Sequence, residues 1–165
     1  MTKKRFLNRT NFLGLAVFII ISEFAGILGS LFTMPAIEGW YATIIRPSFS
    51  PPNWIFAPVW TTLFALMGIA AFLVWKKRES NKNTRIALKI FSGQLALNTL
   101  WSILFFGLQS PGIAFIEIII LWLAIVATII AFAKVSRSAA WLLSPYIAWV
   151  TFAAYLNYSI VILNS

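Results

Sequence analysis

Five apolar stretches of about 20 residues each, at 12–33, 54–75, 86–108, 113–133 and 139–163, constrain this chain more than anything else in it. The hydrocarbon core of a bilayer offers no water to the backbone, so every N–H and C=O must be satisfied within the crossing segment. An α-helix does this, and its rise of 1.5 Å per residue carries about 20 residues across. The reading is an all-α membrane protein, a bundle of five transmembrane helices forming one domain over residues 1–165. Composition agrees: 61% of residues are apolar and 10% charged, where a soluble domain is about half apolar and about a quarter charged.

Helix breakers mark the ends of the blocks. Met34-Pro35 is expected to close the first helix, and Arg46-Pro47-Ser48-Phe49-Ser50-Pro51-Pro52 forms a proline-rich approach to the second. Gln109-Ser110-Pro111-Gly112 reads as a tight turn, and Ser136-Arg137-Ser138 as a short polar hinge. The basic tail Lys3-Lys4-Arg5 ahead of the first block resembles a signal peptide. The long apolar run, Glu23 within it and the lack of a small-x-small cleavage site favour a retained span.

The basic residues set the expected orientation. Of 13 Lys and Arg, only Arg46 falls on one side of a five-span arrangement. The rest sit in the tail, around the 76–85 connection and at Lys134 and Arg137. The positive-inside rule therefore places the N-terminus in the cytoplasm and the C-terminus opposite. The net charge of +9 flanks apolar blocks instead of lining a face, so no nucleic-acid partner is expected. With neither Cys nor His, the chain lacks disulfides, thiol nucleophiles, the usual zinc ligands and the commonest axial ligands for haem iron. No metal site is expected.

Several residues inside the spans stand out. Ser22, Gly26 and Ser30 make a small-residue stripe that lets helices approach closely, within one bundle or between two copies. Glu23 and Glu117 place carboxylates where charge is costly. Packing against a polar neighbour and a proton-linked role are both open, and Glu117 is expected near the interface. Gln94, Asn98, Trp101 and Phe105 share one helix face, as do Tyr146, Trp149, Ala153 and Asn157, and Trp60, Phe64 and Met67. Facing stripes of this kind make either a packed interior or an aromatic cavity suited to a flat apolar ligand with one or two polar handles. Trp54, Trp75 and Trp141, at span ends, read as interfacial anchors.

Three motifs then carry a resemblance. They are Trp40-Tyr41 with Arg46-Pro47-Ser48-Phe49-Ser50-Pro51-Pro52-Asn53-Trp54 and Pro58-Val59-Trp60; Gln94-Leu95-Ala96-Leu97-Asn98-Thr99-Leu100-Trp101-Ser102; and Pro145-Tyr146-Ile147-Ala148-Trp149-Val150-Thr151-Phe152-Ala153 with Tyr155-Leu156-Asn157. Together they resemble the TspO/MBR family of tryptophan-rich sensory proteins and the mitochondrial translocator protein, a peripheral-type benzodiazepine receptor. The likeness implies a five-helix bundle, usually a homodimer, with a pocket beneath the loop between the first two helices. Implied ligands are porphyrins such as protoporphyrin IX and other flat hydrophobic molecules. Matching positions carry the ligand site to Trp40, Pro51, Trp60, Phe64, Asn98, Trp101, Ser102, Trp149 and Ala153.

The sequence departs from the family pattern twice. Phe49 stands where many members have a second Trp, and no Lys or Arg follows Tyr155 or Tyr158 to complete the sterol-recognition pattern. On this reading the protein is a membrane-embedded sensor of a metal-free tetrapyrrole, requiring no cofactor, in a bacterial cell membrane. Two alternatives accompany it. One is light- and oxygen-dependent porphyrin degradation, with Trp40 and Trp149 as catalytic electron donors. The other is transport of a small hydrophobic molecule coupled to protons through Glu23 and Glu117, although the chain shows no internal repeat of the transporter kind.

Overall fold

A computed structural model describes residues 9–165, with side chains from Asn11 onward; the basic tail Lys3-Lys4-Arg5 lies outside the described residues. Five helical segments are long and apolar enough to span a membrane: Asn11–Glu38, Asn53–Trp75, Thr84–Gly107, Pro111–Ala133 and Arg137–Leu163. The elements in chain order are α1 (Arg9–Glu38), the single turn α2 (Trp40–Thr43), α3 (Phe56–Trp75), α4 (Thr84–Ser102), α5 (Pro111–Ala133), the short α6 (Arg137–Trp141) and α7 (Ser144–Leu163). A 3₁₀ turn, Asn53–Ile55, leads into α3.

Around the bundle α1 packs against α3 and α4, α5 against α4 and α7, and α6 bridges α3 and α5. Small residues permit the closest approach. A Cβ on Gly68 of α3 would lie 2.6 Å from the Ile19 Cα and 2.8 Å from the Phe18 carbonyl oxygen, so α1 and α3 touch backbone to backbone. The expected stripe on α1 faces inward: Ser22 is fully buried, and a Cβ on Gly26 would run into the Phe64 ring. Packing within the bundle accounts for it.

The two basic connections share one end of the bundle, where the Asn81 side-chain amide donates to the Lys134 carbonyl at 3.2 Å. This is the basic end. At the opposite, loop end, Asn164 clamps the 39–52 segment: its Oδ1 accepts from the Ile45 N–H at 2.9 Å, and its Nδ2 donates to the Ile45 carbonyl at 2.9 Å.

Three local features depart from the sequence expectation. α1 runs through Pro35 to Glu38; a proline in the final turn removes one hydrogen bond near a terminus where the ladder is ending anyway. The last span breaks at Leu142-Leu143, ahead of Pro145, into α6 and α7. α4 ends in a π-helical turn, Ile103–Gly107, closed by a 2.8 Å bond from the Leu108 N–H to the Ile103 carbonyl. Gln109, at φ 50°, then reverses the chain in the left-handed region.

Candidate ligand cavity

A cavity of about 380 Å³ lies toward the loop end, walled by α1, α3, α4 and α7 and approached by Tyr41 and Asn53. That volume is in the range of small-molecule sites. Its indoles come from three helices: Trp60 on α3, Trp101 on α4 and Trp149 on α7. Phe64, Asn98, Ser102 and Ala153 line it as well, so seven of the nine residues expected at the site share one wall. Trp40 and Pro51 do not reach it. The Trp40 ring stands edge-on to Phe105 at 5.6 Å, and it is the next residue, Tyr41, that faces the cavity. Pro51 lies in a shallow polar depression on the loop with Arg46, Pro47, Asn53 and Trp54.

The indoles are held by their neighbours. Trp101 stacks on Phe105 at 5.0 Å and 24°, and its Nε1 donates to Asn157 Oδ1 at 3.1 Å. Asn157 in turn donates to the Pro111 carbonyl at 2.9 Å, joining α4, α7 and the start of α5 through one amide. Trp60 meets Phe64 at 5.6 Å and the Tyr146 ring edge-on at 6.4 Å. Trp149 meets Phe56 edge-on at 6.1 Å, and its buried Nε1 has no hydrogen-bond partner among the described residues. A dry N–H without an acceptor costs about 1–3 kcal/mol, so a guest that supplies an acceptor there recovers that energy.

The polar residues of the stripes behave differently from one another. Asn98 Nδ2 donates to the Tyr146 hydroxyl at 2.9 Å, which donates to Gln94 Oε1 at 2.9 Å, while Gln94 Nε2 lies 3.7 Å from the Met67 sulfur. This chain closes the cavity floor, and it engages the amide that sequence reasoning offered to a ligand. Tyr146, Gln94 and Met67 are packing residues; Asn98 contributes to floor and wall together.

Sequence reasoning missed several wall residues. The π-helical turn changes the helical repeat so that consecutive Phe105 and Phe106 both face the cavity. No simple periodicity signals it. Gly29, Ser30 and Thr33 of α1 are also on the wall. The small-residue spacing pointed to that helix but not to a role in a cavity.

The two intramembrane carboxylates are placed apart. Glu23 lies on the cavity wall. Glu117 is only 5% exposed, and neither carboxylate oxygen has a partner among the described residues, so the interfacial position expected for it is corrected. It sits on the inward face of α5 with Ala114, Ile118 and Leu121. Residue count from a turn measures depth along a helix, whereas burial depends on which face the helix presents.

At the loop, Arg46 lies over the Tyr41 ring at 5.2 Å and donates to Asn53 Oδ1 at 3.3 Å. Burial pushes the Tyr41 phenol up, and the Arg46 charge partly offsets this. Phe49, the departure noted in the sequence, stacks on Tyr155 at 5.1 Å and 18°. Trp54 and Trp141 are exposed at span ends, as anchors would be, whereas Trp75 packs against Phe18 and Phe72 and carries Arg78 over its ring at 3.7 Å.

Comparison with known proteins follows the same line. The model of the TspO/MBR family matches residues 18–163. The tryptophan-rich protein TspO of Chlorobaculum tepidum is 46% identical over 156 residues, covering 92% of this chain and 96% of that one. Its counterpart in Archaeoglobus fulgidus is 42% identical, over 94% and 99%. The translocator protein of Ovis aries is 40% identical, over 86% and 84%. With five membrane-spanning helices and this match over most of its length, the chain belongs to the TspO/MBR family.

Proposed function

We propose that this protein is a membrane-embedded receptor for porphyrins of the protoporphyrin IX type and related flat hydrophobic ligands, acting as a sensor of tetrapyrrole. The observation that carries the reading is the meeting of Trp60, Trp101 and Trp149 from separate helices on one cavity. Such rings favour a planar apolar guest through burial and offset or edge-on contact.

The cavity wall also orients the guest. Glu23 is a carboxylate on that wall, and no Lys or Arg lines it. The carboxylates of a porphyrin therefore point away from Glu23, toward Asn53 and the Arg46 that bonds it at the loop end. The macrocycle lies among the indoles, with the Trp149 N–H available to an acceptor. The absence of His and Cys leaves no strong iron ligand, which favours the metal-free ring. We place the basic end in the cytoplasm of a bacterial cell, following the Lys and Arg distribution, and take the working form to be a homodimer from the family resemblance.

Titration with protoporphyrin IX in detergent tests this reading. The expected result is a shifted Soret band together with saturable quenching of tryptophan fluorescence. Neither signal appearing would overturn it.

A further inference from the structure

The cavity wall is uneven in its exposure. Ile27 and Met34 of α1 line the cavity and are 55% and 70% exposed on the outside of the bundle. Across from them, Ala57 and Thr61 of α3 line it and are likewise exposed. All four lie within segments long and apolar enough to span the membrane, so their surroundings there are acyl chains. They border the seam between α1 and α3, which closes toward the basic end where Gly68 meets Phe18 and Ile19.

The loop end is better sealed. Tyr41 is 3% exposed and packs on Phe105 and Phe106. Arg46 covers the Tyr41 ring and bonds Asn53. Both Ile45 backbone groups are held by Asn164 at the end of α7. Passage by this route requires several hydrogen bonds and a buried aromatic packing to give way.

The seam is also chemically suited to lipid. Its hydroxyls return to their own helices: Thr61 to the Ala57 carbonyl at 3.0 Å, Ser30 to Ile27 at 2.7 Å and Thr33 to Gly29 at 3.1 Å. Satisfied in this way, they present methyl and methylene surface to whatever passes. We propose that the cavity communicates with the acyl-chain region of the bilayer through this α1–α3 seam, and that its hydrophobic guest enters and leaves sideways from the membrane. The identity of the guest rests on the reading above; the route is tested without it.

The cysteine-free sequence suits site-directed spin labelling. A nitroxide on Ala153→Cys, deep on the α7 wall, is examined in lipid nanodiscs for collisions with oxygen, which concentrates in the acyl region, and with a water-soluble nickel chelate. The expected label meets oxygen and not nickel. Adding Thr61→Trp, or Ala57→Phe should that variant fold poorly, lowers the oxygen collision rate several-fold, while Asn164→Ala leaves both rates unchanged. A label that meets nickel as freely as one on the exposed Ser48→Cys, or one whose access follows Asn164→Ala and ignores both plugs, overturns the proposal. The porphyrin titration on the unlabelled protein reports separately on the ligand.

Discussion

The two ends of the bundle are built from similar residues and do opposite things. Toward the basic end Met67, Ala70, Ala71, Val74, Phe91, Phe132 and Ala139 interlock with little or no exposed surface. Toward the loop end the walls carry more aromatic surface yet stand apart around a cavity. The difference lies in what sits at the contact points. Glycine and alanine let backbones meet at the basic end, whereas indoles at the loop end are fixed to neighbouring rings and amides and cannot collapse inward. Aromatic content alone does not close an interior; the shape and tethering of each ring decide it.

The largest effect expected from breaking this contrast is at Gly68. Gly68→Val pushes side-chain atoms into the α1 backbone, which cannot yield as a side-chain tip can. Loss of about 3 kcal/mol or more is expected, read as a steep fall in thermal unfolding temperature or in recovery of folded protein from detergent. A variant as stable as the parent would show that the close helix contact is not what holds the basic end together.

Next is the floor between the two ends. Tyr146→Phe removes the hydroxyl shared by Asn98 and Gln94 and leaves two buried polar groups without it. The expected destabilisation is about 1–3 kcal/mol, measured by thermal unfolding, accompanied by a weakened porphyrin quenching signal as the Trp60 contact loosens. Stability unchanged by this substitution would mean that the chain of bonds does not separate packed interior from cavity.

At Trp149 the two readouts should part. Trp149→Phe removes an N–H that bonds no protein group among the described residues, so the folding cost stays small. Porphyrin affinity falls by about 1 kcal/mol, some fivefold, if the guest accepts from that nitrogen. Equal affinity in the fluorescence titration would remove the indole N–H from recognition while leaving the ring as wall. A similar separation is expected at Glu117: Glu117→Leu takes away a buried carboxylate with no partner among the described residues and should raise the unfolding temperature without altering porphyrin affinity.

The smallest effect is a control on the small residues themselves. A Cβ added at Gly93 of α4 meets nothing within 4 Å. Gly93→Ala should therefore be neutral or add up to about 1 kcal/mol through helix propensity. Its contrast with Gly68 separates the glycines that enable contact from those that do not.

Much of this architecture was readable in advance, for a definite reason. In a bilayer, span length and apolarity are imposed by the solvent, so five blocks of sequence translate directly into five helices. Helical spacing likewise brought Trp60, Asn98, Trp101, Trp149 and Ala153 to the right faces, because a regular helix keeps its phase along its length. Where the phase was interrupted, inference failed: at the π turn that turns both Phe105 and Phe106 inward, and at the break before Pro145. Pro35 was overread because a proline near a helix end forfeits little. In the loop, neighbouring Trp40 and Tyr41 were equal candidates until the single turn of α2 sent the tyrosine to the cavity and the tryptophan against Phe105.

The amino-acid sequence by itself determined the number of crossings, the segregation of basic residues to one end and which chemistry is missing, since each follows from composition within a segment. Only the tertiary structure decided that aromatic faces enclose space instead of filling it, that Glu117 is buried while Glu23 borders the cavity, and that the wall thins between α1 and α3. Those outcomes depend on the distances between helices. Such distances are set by pairs of residues far apart in the chain, among them Gly68 with Ile19 and Trp101 with Asn157, which no local pattern records.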